Sequence, residues 1–287
     1  MIELIKKIVP DNLKKQINSY KKEQLKKRVQ KLPKLSKVDL ENIFRNKLDL
    51  KFGDISFVHS SLDRLNLDFP SFQVLDILLD IVGSEGTLIF PTYPKLTSYK
   101  FLKSGEIFDQ RRTPSYMGIL SEFARRHSKA IRSLHPTKSV AAIGKHAEEI
   151  TNSHHLSIYP YDKNSPYYKA YELGSKAVGI GIKTTFYSAV HVLDDLYLDK
   201  LPFNPYVDEL FEAKCKNINK EELIIKTYAH DMNKMHFNLP KFFASQIDNS
   251  ICEDININGM DFFRADLTKT INEMKKLLDS GISIYKY

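Results

Sequence analysis

Cysteine is scarce in this chain. Its 287 residues include two, Cys215 and Cys252, with no CxxC and no Cys/His spacing of a zinc site. That excludes a disulfide framework, gives no support to a metal centre, and fits a reducing cytosol. No run of about 18 apolar residues occurs, so nothing in the sequence reads as a membrane span. The first residues are no secretory signal, because Lys6, Lys7 and Pro10 interrupt any apolar stretch. The motifs GxGxxG and GxxxxGK[ST] are absent, and so is GxSxG. Dinucleotide folds and P-loops gain no support, and an α/β-hydrolase is disfavoured. His154–His155 and His230–His236 lack metal spacing and read as surface histidines. There is no internal repeat.

What is present is an apolar content of 42%, enough for a sizeable core, and an unevenly spread charge of +8. Residues 1–50 hold 14 Lys and Arg against 6 Asp and Glu, so they carry the whole excess and the remainder is neutral. A neutral body argues against nucleic-acid binding through a basic face. Residues 1–38 therefore read as a basic helical N-terminal arm and linker, and 39–287 as the main domain. In the arm, Ile2, Ile5 and Val9 share helical spacing up to Pro10. Asp11 can cap a second helix carrying Leu13, Ile17 and Val29. Such a helix can pack on its own domain or a second subunit, or lie peripherally on the inner face of an anionic membrane. A nucleic-acid tail is the third reading.

Residues 32–39 read as a linker in which Ser36 and Asp39 cap a helix over 37–47. ISFVHSSL (55–62) reads as a strand, 71–82 as a helix ended by Gly83, and TLIFPTYP (87–94) as a second strand. That βαβ unit predicts a parallel sheet with a right-handed crossover. Residues 95–113 read as irregular. Helices follow at 117–127, 145–151 and 167–174, and strands at 139–144 and 176–182. Beyond 200 the pattern weakens, with a strand at 222–228 and a helix near 266–279. The fold class read from this pattern is α/β with a mainly parallel central sheet.

Ligands of such sheets bind at the carboxyl ends of the strands. Polar or proline-locked turns stand at three predicted ends, 59–61, 91–94 and 184–191. If TTFYSAVHVLDD (184–195) is one helix, Ser188, His191, Asp194 and Asp195 share a face. Together they would make a carboxylate-oriented general base, or else a buried histidine with its hydrogen bonds satisfied. His135, held extended by Pro136, is a rigid turn or a substrate-facing histidine. Ser165 and Pro166 start a helix, as a simple cap or as amides offered to a phosphate.

The stretches VHSSL (58–62), GTLIFPTY (86–93), FDQRRTPSYMGILSEFARR (108–126), RSLHPTKSVAAIGKHAEEIT (132–151), NSPYYKAYELGSKAVGIGI (164–182) and HVLDD (191–195) occur in this order. In that order they resemble the aminoglycoside 3-N-acetyltransferase family over roughly residues 52–196. The resemblance implies a three-layer α/β/α sandwich that transfers acetyl from acetyl-CoA to an amine of a sugar-containing substrate. It puts the catalytic histidine at His191, near Ser188, and puts His59, Ser60, Ser61, Thr113, Ser115, Ser165 and Pro166 on the coenzyme side. His135, Phe186 and Tyr187 would face the acceptor. Antibiotic-modifying members carry a glutamate three residues after the histidine. Here Asp194 stands there with Asp195 next, so either carboxylate could orient the ring.

The physical chemistry is consistent with that expectation. An alkyl ammonium titrates at roughly pH 8–10, so a base must take its proton before it can attack a thioester. The expected acceptor is an amino sugar in a nucleotide- or lipid-linked precursor of a surface polysaccharide. The alternatives are an aminoglycoside, as in antibiotic resistance, and a non-catalytic docking protein that keeps the fold.

Overall fold

The computed structural model describes residues 11–285. In chain order its strands are β1 (Ile55–Ser60), β2 (Thr87–Pro91), β3 (Phe108–Asp109), β4 (Ile131–Arg132) and β5 (Val140–Gly144). They continue with β6 (Lys176–Ile180), β7 (Phe211–Lys216), β8 (Glu222–Thr227), β9 (Cys252–Ile257) and β10 (Met260–Asp266). The earlier helices are α1 (Asp11–Val29), α2 (Lys37–Asn42), α3 (Gln73–Val82), α4 (Ser98–Ser104) and α5 (Ile119–Arg126). The later ones are α6 (Ala147–Thr151), α7 (Pro166–Glu172), α8 (Val192–Leu196), α9 (Leu239–Gln246) and α10 (Leu267–Asp279).

Seven strands form one sheet in the order β4-β5-β2-β1-β6-β10-β9. The β1-α3-β2 unit closes as expected, with Ile55 opposite Thr87 in parallel. β6 joins the other side of β1, also parallel. A mainly parallel sheet, however, is corrected at both flanks. β5 pairs with β2, β4 with β5, β10 with β6, and β9 with β10, all antiparallel. The parallel character is confined to the three central strands, β2, β1 and β6.

Side chains alternate across this sheet and build two cores. Val58, Leu88, Val178 and Phe262 face α2, α3 and α5. Phe57, Ile89, Ala177 and Phe263 face α6 to α10. Helix α3 shows how the sequence specifies its layer. Val74, Leu75, Leu78, Ile81 and Val82 are buried at helical spacing, and Gly83 ends the helix at φ 63°. Each such side chain contributes about 1.5–3 kcal/mol of burial, so packing rather than propensity holds the helix. The expected capping box of Ser36 and Asp39 opens α2, which runs on into a π-helical turn, Ile43–Lys47.

Other expectations need revision. Residues 95–113 contain α4 and β3, and the region beyond 200 supplies β7, β9, β10 and α9 besides the predicted strand and helix. β3, β7 and β8 form a separate three-stranded sheet. The linker is no free tether. Leu35 is buried, and its N–H donates to the carbonyl of Asn66. In α1 Leu13, Ile17 and Tyr20 are exposed and Val29 is buried. The predicted helix with Ile2, Ile5 and Val9 lies outside the described residues.

Candidate functional site

β2, β1 and β6 are adjacent and parallel, so their carboxyl ends share one edge of the sheet. Two glycines let loops close onto that edge. At Gly118 (φ 96°) a Cβ would stand 2.9 Å from the carbonyl oxygen of Ser60. At Gly181 (φ 74°) it would stand 2.4 Å from that of Ser61. Only glycine fits both the backbone angle and the approach. Arg132 fastens the same edge from below. It is buried, donates to the carbonyls of Thr92 and Thr113, and lies over the Phe108 ring.

The stretch 184–195 is not one helix. It comprises two 3-10 turns, Thr184–Phe186 and Ser188–His191, and then the start of α8. The turn places His191 beside Asp194, with Nδ1 2.7 Å from Oδ2. An ionised Asp194 keeps the ring proton on Nδ1 and leaves Nε2 as the base. The pair is buried, His191 to 8% and Asp194 to 1% exposure. Tyr285 Oη also donates to Asp194 Oδ2, while Oδ1 of Asp194 is buried without a partner among the described residues.

Asp195 points elsewhere. Its Oδ2 accepts the Tyr161 N–H at 2.7 Å and its Oδ1 accepts the Tyr206 hydroxyl. Burial holds its carboxyl well above the usual carboxylate range, although both donors pull the other way. The shared face predicted for the two carboxylates is therefore corrected. The chain changes from a 3-10 turn to an α-helix at His191, which brings Asp194 back to the ring and leaves Asp195 on a different bearing.

A wall of hydroxyls and rings adjoins His191. Tyr93 Oη lies 2.6 Å from Tyr167 Oη, 3.4 Å from Tyr161 Oη and 3.2 Å from Ser188 Oγ. Tyr167 Oη donates to the Lys138 carbonyl at 3.2 Å, and Tyr93 donates to Ser188 Oγ, which leaves the Ser188 hydrogen free to meet an oxyanion. Lys138 Nζ lies 4.6 Å from the Tyr93 ring centre, and burial brings its ammonium down to about 8.

His230 was expected at the surface and is instead buried. It stacks on Tyr206 at 4.7 Å and sits 5.3 Å from His191 between ring centres. Burial holds it well below the normal imidazole range, and it stays neutral. His154 is likewise a core residue, stacked on His135 at 4.4 Å. Sequence reasoning missed Tyr93, Lys138, Tyr206, His230 and Tyr285. Tyr93 lies in the strand-end turn 91–94 and Lys138 in the His135–Pro136 turn, both already singled out, and His230 follows the predicted strand at 222–228. Nothing local marks Tyr285.

The remaining sequence candidates divide. His59 is buried against Phe57, Tyr187 and Phe263, and burial brings its pKa to about 3. Its Nε2 is buried without a partner among the described residues. Ser60 Oγ is buried with no partner among the described residues, an orphan that suits a ligand hydrogen bond. Ser61 Oγ donates to Asp63. Thr113 Oγ1 accepts the Asp109 N–H, and Ser115 Oγ accepts that of Met117. Both are half-buried in the loop that Arg132 fastens.

Ser165 and Pro166 are buried, and Ser165 Oγ is used by the Tyr168 N–H. They are corrected to a structural cap, because the layer around α7 covers this helix start. His135 is corrected too. It is buried, Nε2 meets Thr227 Oγ1 at 3.2 Å, and Nδ1 accepts N–H groups from its own turn. Tyr187 is buried in the core and presents no face to a sugar, whereas Phe186 is 54% exposed.

A family description, aminoglycoside 3-N-acetyltransferase, matches residues 57–276. Aminoglycoside N(3)-acetyltransferase III of Acinetobacter baumannii is 29% identical over 159 residues, covering 50% of this chain and 55% of that protein. The SPbeta prophage-derived aminoglycoside N(3')-acetyltransferase-like protein YokD of Bacillus subtilis (strain 168) is 30% identical over 142 residues, covering 43% and 52%. The chain spans about half the length of the curated relatives it matches. Among solved structures, aminoglycoside acetyltransferase AAC(3)-Xa superposes with TM-score 0.74 at 19% identity, covering 93% of this chain and 99% of that one. AAC-IIIb, solved as a binary complex with CoASH, gives 0.69 at 19% identity, covering 88% and 98%. At these identities the structural likeness speaks for the fold. With the family description matching most of its length, the chain belongs to the aminoglycoside 3-N-acetyltransferase family.

Proposed function

We propose that the chain is an acetyl-CoA-dependent N-acetyltransferase acting on an amine of an amino sugar, with an aminoglycoside as the acceptor its relatives favour. The observation that carries this reading is the His191 Nδ1–Asp194 contact of 2.7 Å, with Nε2 left for a proton. Acetyl-CoA would supply the thioester carbonyl. Ser60, with its orphaned hydroxyl, and Ser61, Thr113 and Ser115 are the groups suited to hold the coenzyme. His191 Nε2 takes a proton from the acceptor amine, and the C–N bond forms as the C–S bond breaks. Asp194 stabilises the imidazolium so formed, and the proton then passes to the departing thiolate. The Ser188 hydroxyl is placed to donate to the carbonyl oxygen as its charge develops.

A nucleotide- or lipid-linked amino sugar as acceptor has no support from the relatives, which are named as aminoglycoside acetyltransferases. The intact dyad counts against a purely docking role. The test is free-thiol release from acetyl-CoA with sisomicin and, in parallel, with nucleotide-linked amino sugars. No thiol release with any acceptor, or no coenzyme A binding by calorimetry, would sink the reading.

For the arm, the lysines of α1 and its exposed Leu13, Ile17 and Tyr20 favour electrostatic contact with an anionic bilayer, although the helix is only weakly amphipathic. Deletion of residues 1–31 should end pelleting with anionic liposomes and spare coenzyme binding. Pelleting that survives the deletion refutes it.

A further inference from the structure

Away from the dyad, β3 and the tip of the β7–β8 hairpin enclose a cavity of about 390 Å³ lined by Asp109, Arg111, Arg112, Lys216 and Lys220, with Asn217 and Ile218. Cations dominate it, although residues 51–287 as a whole are neutral. The acids nearby are partly committed. Asp109 Oδ1 accepts the N–H groups of both Arg111 and Arg112, so it shapes the turn that projects the two arginines. Glu222 reaches only Lys216, at 3.5 Å, and Glu221 is engaged with the Asn217 amide.

The two walls are clamped to each other. Gln110 N–H donates to the Lys216 carbonyl, Gln110 Oε1 accepts the Ile218 N–H at 2.8 Å, and Arg125 Nη1 holds the Arg111 carbonyl. The cations therefore stand on a preformed frame. Lys220 has φ 67° at the hairpin tip, where glycine or asparagine is the ordinary choice. A lysine there raises local strain and adds a charge to the cavity. The turn also leads directly through Thr113 and Ser115 to Gly118, which packs against Ser60, and to Tyr116, whose N–H donates to the Tyr93 carbonyl. One continuous loop thus joins the cavity to the edge that holds the dyad.

We infer that this groove is a binding site for a phosphate ester. Two guanidinium forks and two ammonium groups match phosphate oxygens in charge and geometry. The phosphates can come from the coenzyme itself or from a nucleotide-linked acceptor. The choice of source rests on the acetyltransferase reading, whereas the site does not.

Calorimetry of the full chain with adenosine 3′,5′-bisphosphate, inorganic pyrophosphate and phosphate-free pantetheine tests it. Wild type should bind the first two, more weakly as salt rises, and Arg111→Ala/Arg112→Ala should bind them about tenfold less tightly. Arg111→Lys/Arg112→Lys should keep most of the affinity. Lys220→Gly should lose affinity while its Tm rises, a combination that a merely structural lysine would not produce. Equal phosphate affinity in wild type and the double alanine variant, or none in either, overturns the site. In the acetyl-transfer assay, a higher KM of the double alanine variant for acetyl-CoA assigns the phosphate to the coenzyme, and a higher KM for a nucleotide-linked acceptor assigns it to the acceptor. If neither KM moves, the groove has no part in the reaction and both assigned sources fall, while the calorimetry alone decides whether the groove binds a phosphate ester. Phosphate binding with no acetyl transfer to any acceptor leaves the groove standing and removes the activity reading.

Discussion

Replacing Asp194 by asparagine separates the proposed chemistry from the fold. Asp194 Oδ2 meets His191 Nδ1 at 2.7 Å and also accepts from Tyr285. During transfer the imidazole becomes a cation beside this carboxylate. At about 4 Å between charge centres and an effective dielectric of ~20, their attraction is ~4 kcal/mol. Tyr285 already draws on the same oxygen, so the loss in the transition state should be about 3 kcal/mol, or ~150-fold in kcat. KM for acetyl-CoA should hold, because the Asp194 side chain is enclosed by His191 and Tyr285 at 1% exposure. The measurement is thiol release at saturating coenzyme, with thermal unfolding and coenzyme calorimetry on the same samples. A folded, coenzyme-binding Asp194→Asn protein that loses less than about fivefold in kcat would refute the reasoning.

Asp195→Asn should behave in the opposite way: its partners are the Tyr161 N–H and the Tyr206 hydroxyl, so unfolding free energy should fall by about 1–3 kcal/mol while kcat changes little. Equal kcat losses for the two aspartates would contradict their separate roles. Tyr285→Phe keeps the ring against Phe203 and Phe237 but drops the hydroxyl. With more negative charge then facing the imidazole, the acid limb of the pH–rate profile should move to higher pH, and an unmoved limb counts against positioning by Tyr285. Lys138 is held at about 8 by burial, below its ordinary 10.5. The unfolded chain therefore binds the extra proton between those values, and wild-type stability gains as pH rises from 8 towards 10.5. Lys138→Met should flatten that gain and be more stable at pH 7 by up to ~3 kcal/mol. Denaturant titrations at several pH values will show whether the two curves converge at high pH.

How far the site could be read from the sequence depended on how local each interaction is. The His191–Asp194 pair is three residues apart, so the spacing alone put both groups within reach. It could not say which aspartate turns to the ring, because that depends on the change of helix type at His191. Tyr93, Tyr206, His230 and Tyr285 come from separate parts of the chain and meet only when the sheet and its covering helices close. Proximity in space has no trace in spacing for such groups. The opposite error has the same origin. His135 and Ser165 stand at chemically suggestive turns, but the layers packed over those turns bury them, and their polar atoms are satisfied within the chain.

The sequence by itself determined the βαβ core, the capping box at Ser36, the family resemblance and the close spacing of His191 with two aspartates. Hydrophobic period, cap chemistry and motif order are properties of neighbouring residues, and neighbours are what a sequence records. Tertiary structure alone decided the antiparallel flanks of the sheet, the choice of Asp194 over Asp195, the Tyr285 contact and the cationic groove between β3 and the β7–β8 hairpin. Those features depend on strand partners and side-chain bearings set by long-range packing, which no local pattern encodes.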